Sequence, residues 1–281
     1  MSRRFDDICL FLDIDETVVR TDKTVSPRDG EALGVFKISG GMICLVTGRP
    51  YSPKLHDVID KTHADYVITC NGSQVVDLRE RRVVFEDVLS RERADMIWNL
   101  CEEFDLAFLS ASDGRMWTNK PDIRLPIPND VRHESDVAGL PMRKVDIGEI
   151  REREIGHTKV LLMDSDKDKL DKVYRILIEK GMNVTKTKGG YWLEVSSANK
   201  GDAVQRFLEK NSQIKIAIPV GDSGNDLPMF REYDGVRTIG IAVANATSDI
   251  KDAAEVILPL TNNEDAIAYL VDDIEEITSR F

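Results

Sequence analysis

Cations, histidine and cysteine are all scarce in this chain, and no long apolar run occurs. Lysine and arginine total 38 against 50 aspartates and glutamates, a formal net charge of −12. That balance argues against nucleic acid as a partner, since binding a phosphate backbone needs clustered cations. The four cysteines, Cys9, Cys44, Cys70 and Cys101, stand far apart, and the first three lie in apolar, strand-like runs. No C-x-x-C pair is present, so they read as reduced, buried thiols of a cytoplasmic protein rather than as metal or redox groups. The histidines His56, His63, His133 and His157 show no ligand spacing. Nowhere do about 18 apolar residues follow one another, which argues against a membrane partner or span. There are no repeats and no low-complexity tracts. The opening Met-Ser-Arg-Arg-Phe-Asp-Asp runs straight into an apolar stretch that ends in acids, so no targeting segment is expected.

What the chain does have is an alternating order of buried-strand and amphipathic patterns. Its 281 residues suit one large or two moderate domains. Ile8–Leu12, Met42–Val46 and Tyr66–Thr69 are continuous apolar runs, as parallel strands buried on both faces require. A helix fits from Pro27, with Ser26 as its N-cap, and another over Tyr51–Lys61. From about Gln74 the pattern changes to short hairpins and helices, with a loop rich in Pro, Asp and Arg over Pro121–Pro141. The alternating order returns with helix Lys200–Lys210, strand Ile214–Val220, helix Asn225–Arg231, strand Thr238–Val243 and a final helix near Asp265–Ser279. The expected fold is α/β: a doubly wound, Rossmann-like parallel sheet over residues 1–78 and 189–281, interrupted by an α+β insert over 79–188.

Open α/β sheets bind ligands at the carboxyl ends of their strands. Three of the expected core strands end in Asp13-Ile14-Asp15, in Thr47-Gly48-Arg49 and in Gly221-Asp222. A carboxylate can attack phosphorus and split one hard displacement into two easier ones, provided a second acid protonates the leaving group. Asp13 and Asp15 offer such a pair. Asp222 and Asp226, with Asp13, offer the oxygen ligands that magnesium prefers. A divalent cation would also reverse the local sign for an anionic substrate in so acidic a protein. Thr47 and Lys200 suit the remaining phosphoryl oxygens. Singly, Asp-x-Asp is a common solvated turn and Lys200 an ordinary helix residue; the ordered combination carries the weight.

In these residues the chain resembles the haloacid dehalogenase superfamily. It is closest in pattern to the Cof-like, type IIB phosphatases with a C2 cap between their second and third motifs. The motifs are Asp13-Ile14-Asp15-Glu16-Thr17, Thr47-Gly48-Arg49, Lys200-Gly201 and Gly221-Asp222-Ser223-Gly224-Asn225-Asp226. Asn71-Gly72, Ala242–Ala246 (AVANA) and Asn262–Asp265 (NNED) match further stretches. The resemblance implies Asp13 as nucleophile and metal ligand, and Asp15 as general acid/base that lends its backbone carbonyl to the metal. Thr47, Gly48, Asn71, Lys200 and Asn225 would hold the phosphoryl group, Asp222 a magnesium ion and Asp226 a metal-bound water. The implied partner is a small phosphorylated metabolite such as a sugar phosphate or phosphoglycolate. A phosphomutase of the same superfamily stays open, and so does a non-catalytic binding protein, although none of the key residues is lost. Glu16 departs from the Gly most frequent at its position, and Val243 replaces a frequent Met. In the insert, Asp113-Gly114-Arg115, Asn119–Arg124, Lys186 and Lys188 are candidate leaving-group contacts, though each is first read as solvated surface. Trp98, Trp117 and Trp192 read as packing.

Overall fold

The computed structural model describes residues 4–112, 114–123, 125, 139–153, 155–187 and 189–280. Asp113, Arg124, His133, Lys188 and most of the expected loop over 121–141 lie outside the described residues. The chain divides into two compact units. One comprises the residues up to Gly48, Leu55–Val84 and those from Asn199 onward; the other comprises Arg49–Lys54 and Phe85–Ala198.

Along the chain the strands are β1 (Ile8–Asp13), β2 (Met42–Val46), β3 (Tyr66–Thr69), β4 (Gln74–Asp77), β5 (Arg82–Glu86), β6 (Ala107–Ser112), β7 (Arg115–Thr118), β8 (Met142–Lys144), β9 (Lys159–Met163), β10 (Asn183–Lys186), β11 (Trp192–Ser196), β12 (Ile216–Gly221), β13 (Arg237–Thr238), β14 (Ile241–Ala242) and β15 (Val256–Ile257). The helices are α1 (Pro27–Ile38), α2 (His56–Thr62), α3 (Arg91–Glu103), α4 (Ile147–Glu152), α5 (Lys167–Glu179), α6 (Lys200–Lys210), α7 (Ser248–Ala253), α8 (Ala266–Asp272) and α9 (Ile274–Arg280).

The larger sheet has the order β15-β14-β12-β1-β2-β3-β4-β5, with β13 beside β12. Every residue of β1 is buried, which explains its unbroken apolar run. Both neighbours of β1 run parallel to it, with Leu12 opposite Val220 and Asp13 opposite Val46. The carboxyl ends of β1, β2 and β12 therefore finish level. The chain leaves β1 toward β2 and β3 on one side and returns to β12 on the other, so β1 stands at the switch point where such sheets bind ligands.

Ser26 caps α1 by accepting the amides of Arg28 and Asp29, with Pro27 in the first turn. Other boundaries differ from expectation. The Tyr51–Lys61 helix becomes a 3₁₀ turn at Pro53–Leu55 followed by α2. Asn225–Arg231 forms only a 3₁₀ turn at Leu227–Met229. Pro228 has no amide to give an α-helical ladder, and the amides of Asp226, Met229 and Phe230 each bond three residues back. The expected strand Thr238–Val243 divides into β13 and β14. Its gap stands opposite Pro219, which lacks a donor for the ladder.

In the second unit the sheet order is β10-β11-β9-β6-β7-β8, antiparallel except where β8 joins β7. Alternation along β9 separates the two faces. Val160 and Leu162 pack with Trp98, Cys101, Val173 and Leu177 of α3 and α5, while Leu161 and Met163 pack with Leu109 and Met116. Trp98 and Trp117 are buried as packing residues. Lys120 pairs with Asp105 at 2.6 Å and Lys186 with Asp171, and Arg115 is exposed. All four cysteines are free and buried.

One buried acid in the first unit carries a prediction about stability. Asp29 is 1% exposed and accepts the Ala268 amide at 2.8 Å. Burial pushes its carboxyl up to about 6, even though that amide favours the ionised form. Its folded value thus lies above the unfolded one, so its contribution is fully present below about pH 4 and is lost as the pH rises through 6. Asp29→Asn cannot ionise. Its stability relative to the natural chain is expected to climb by about 1–3 kcal/mol between pH 4 and pH 7. Urea denaturation across that range measures it, and parallel curves for the two chains would refute it.

Candidate active site

The site assembles at the end of β1. Asp13, the last residue of that strand, is 5% exposed, and Lys200, the first residue of α6, is 1% exposed. Asn199 caps α6 by accepting the Asp202 amide at 2.9 Å. Two glycines let this helix end come close to its neighbours. A Cβ on Gly201 would fall 1.9 Å from the Pro228 carbonyl oxygen, and one on Gly72, at φ +107°, 2.2 Å from the Asn199 oxygen. With hydrogen there instead, the first turn of α6 rests against the turn that carries Asp226. Lys200 Nζ then donates to Asp13 Oδ1 and to Asp226 Oδ1, at 2.6 Å each. The second oxygen of Asp226 accepts the amides of Asp222 at 3.0 Å and Ser223 at 3.1 Å. Thr17 Oγ1 donates to Asp222 Oδ1 at 3.5 Å.

Asp13, Asp222 and Asp226 each bring a carboxylate oxygen within 4.8 Å of the others, and all three are buried. One ammonium therefore faces three acids. Burial, and then repulsion from Asp226, hold the Asp13 carboxyl well above its ordinary range, against the pull of Lys200. For Lys200 burial works against the charge, yet Asp13 and Asp226 outweigh it and raise the ammonium above its usual value. Burial apart, both groups register a shortage of positive charge in the cluster. A hard divalent cation fits this all-oxygen donor set and would relieve the shortage.

The other expected residues are placed as follows. Thr47 directly follows β2 and is 1% exposed; its amide donates to the Ile68 oxygen at 2.8 Å, and its carbonyl accepts the Asn71 amide at 3.0 Å. Gly48 comes next and is half-buried. Asn71 is buried in a left-handed turn, φ 56° and ψ 30°, and accepts from Asn225 Nδ2 at 3.5 Å. The Asp15 carboxylate lies outside the three-acid cluster, 3.5 Å from Lys23 Nζ.

Sequence reasoning missed the residues that hold the loop after β1. Asn245 Nδ2 donates to the Glu16 carbonyl at 2.7 Å, and Asn262 Nδ2 to the Val19 carbonyl at 3.0 Å. The two asparagines are themselves joined, Asn262 N donating to Asn245 Oδ1 at 2.9 Å. Both lie in the AVANA and NNED stretches, which were legible as patterns without a role. Glu16 takes φ 59°. That left-handed conformation explains why Gly suits the position, and it costs a residue with a Cβ roughly 1 kcal/mol.

A model of the haloacid dehalogenase-like hydrolase family matches residues 10–271. The chain is similar to the 5-amino-6-(5-phospho-D-ribitylamino)uracil phosphatase of Bacillus subtilis, 23% identical over 95% of this chain and 97% of that protein. It is 36% identical over 100 residues to a phosphoglycolate phosphatase of Archaeoglobus fulgidus. That match takes in 34% of this chain and 42% of the relative, so less than half of the relative's length is spanned. Among solved structures, a phosphatase of the haloalkanoate (HAD) enzyme superfamily from Bacteroides thetaiotaomicron is 26% identical, with a TM-score of 0.76 over 98% of this chain and 96% of its own. The family match takes in all four strand-end and helix-end motifs, from Asp13 to Asp226, and by it the chain belongs to the haloacid dehalogenase-like hydrolases.

Proposed function

We propose that this chain is a magnesium-dependent phosphatase of small phosphomonoesters, such as sugar phosphates or phosphoglycolate, and that it works through an aspartyl-phosphate on Asp13. The observation that carries this reading is the buried lysine held between two of three clustered aspartates at the end of the central strand. The phosphatase activities of the named relatives support it.

In the first step an Asp13 oxygen bonds to phosphorus while the bond from phosphorus to the leaving oxygen breaks. Asp15 gives its proton to that oxygen, and the alcohol departs. In the second step water attacks phosphorus and passes a proton to the Asp15 carboxylate. The bond from phosphorus to Asp13 breaks, releasing inorganic phosphate and restoring the nucleophile. Thr47, the Gly48 amide, Asn71, Asn225 and Lys200 hold the phosphoryl oxygens throughout. Asp13, Asp222, the Asp15 carbonyl and, through water, Asp226 would hold magnesium, which supplies neutralisation of phosphoryl charge. Lys200 keeps Asp13 oriented and favours its ionised form. In this reading residues 79–188 form an inserted cap domain and 1–78 with 189–281 the catalytic core, the cap being the part of the chain that would select substrates. The four free thiols suit a reducing compartment, the cytoplasm.

Purified protein is expected to hydrolyse an aryl phosphate with magnesium, to lose the activity in excess chelator and to regain it when magnesium is restored. Equal rates with and without chelator, or no hydrolysis at all, would overturn the proposal.

A further inference from the structure

A lysine that the reaction above does not use stands beside its general acid. Lys23 lies in the tight turn after the first motif, and that turn is firmly built. Arg20 N donates to the Thr24 oxygen at 2.8 Å and Lys23 N to the Arg20 oxygen at 2.9 Å. Asp22 Oδ1 accepts both the amide of Thr24, at 3.0 Å, and its hydroxyl, at 2.6 Å. Asn263 holds Thr21 through the Thr21 amide at 3.1 Å and its hydroxyl at 3.0 Å. Arg20 pairs with Asp265 at 2.5 Å. Lys23 itself takes φ 69°, a conformation that glycine or asparagine would adopt at less cost. Its Nζ lies 3.5 Å from Asp15 Oδ1, on a side chain still 55% exposed.

An acid that protonates a leaving oxygen must come within about 2.6–3.2 Å of it. The Lys23 ammonium therefore sits near the first few atoms of the leaving alcohol. The second lysine of the site, Lys200, is taken up by Asp13 and Asp226. In a protein of net charge −12, an alcohol carrying its own negative charge meets repulsion unless a cation stands at this spot. The geometry points to Lys23 as a specificity-determining residue: it selects phosphomonoesters whose alcohol carries a carboxylate two or three bonds from the ester oxygen. The assignment rests on the proposed roles of Asp13 and Asp15.

The test compares kcat/KM for phosphoglycolate and for glycerol phosphate, which are of similar size; the second has two neutral hydroxyls on a three-carbon chain where the first has a carboxylate. The natural chain, Lys23→Met, Lys23→Glu and Lys23→Arg are measured with magnesium. The natural chain is expected to prefer phosphoglycolate. That preference should fall about tenfold in Lys23→Met, further in Lys23→Glu, and return in Lys23→Arg, with the change carried by KM for phosphoglycolate. The same ratio in all four chains, or a natural preference for glycerol phosphate, overturns the assignment while leaving the phosphatase reading intact. A natural chain inactive toward both of these and toward an aryl phosphate overturns that reading, and this assignment with it.

Discussion

Asp13→Asn is expected to abolish turnover of an aryl phosphate, by about 10⁴-fold or more, while leaving the fold in place. The side chains have the same shape, so the strand end keeps its packing. The amide, however, has no ionised oxygen to bond to phosphorus, so the proposed two-step route would be closed. The folded state should not suffer. Asp13 is 5% exposed, and its carboxyl is raised by burial and by Asp226, so its charge is a burden on the folded state at neutral pH. The variant should melt at the same temperature as the natural chain or above it. Thermal melts with single-turnover assays separate the two effects. An active variant, within tenfold of the natural chain, would remove Asp13 from the role of nucleophile. An inactive variant that has also unfolded would contradict the electrostatic account of the cluster.

How much of this was legible beforehand depended on how local each feature is. The runs before Asp13, Thr47 and Gly221 could be read directly, because a parallel strand covered on both faces must be apolar throughout. The order of the polar residues at their ends then suggested one crevice, and β1 does stand between β2 and β12. The cap of α1 was readable for the same reason, since Ser26 and Pro27 act within one turn. Features that depend on distant segments were not. Asn245 meets Glu16 across 229 residues and Asn262 meets Val19 across 243, and nothing in their spacing announces either contact. Nothing in the sequence marks Asp29 off from other acids in a first helical turn, and the packing of α8 against it buries its charge. The Asn225–Arg231 segment has an apolar pattern that suits a helix. Pro228 and the return of the Asp226 carboxylate to the amides of Asp222 and Ser223 hold it to a single tight turn instead. Glu16 stood out only as a departure from a family habit, and its left-handed backbone supplies the reason for the habit.

Lys200→Met should produce the largest loss of stability among single changes at the site, and this loss should depend on pH in a defined direction. Lys200 is the ammonium shared by Asp13 and Asp226, with Asp222 close by. Methionine fills much of the volume but leaves buried carboxylates without their cation. Breaking a buried pair in this way costs about 3–5 kcal/mol, because the remaining charges are neither solvated nor paired. Without the lysine, the folded-state proton affinity of Asp13, already raised by burial, moves further above its unfolded value. The penalty should therefore be small near pH 4, where Asp13 accepts a proton, and grow as the pH rises through the raised folded value of Asp13. Added magnesium should restore part of the lost stability in the variant, since a cation that binds only the folded cluster shifts the equilibrium toward it. Activity should not return with it, because the ammonium that pairs with Asp13, and that the proposed mechanism sets against the phosphoryl oxygens, is gone. Urea denaturation at pH 4.5 and pH 7.5, with and without magnesium, measures all of this. A variant as stable as the natural chain at both pH values would mean that the three acids share their charge by some means other than Lys200.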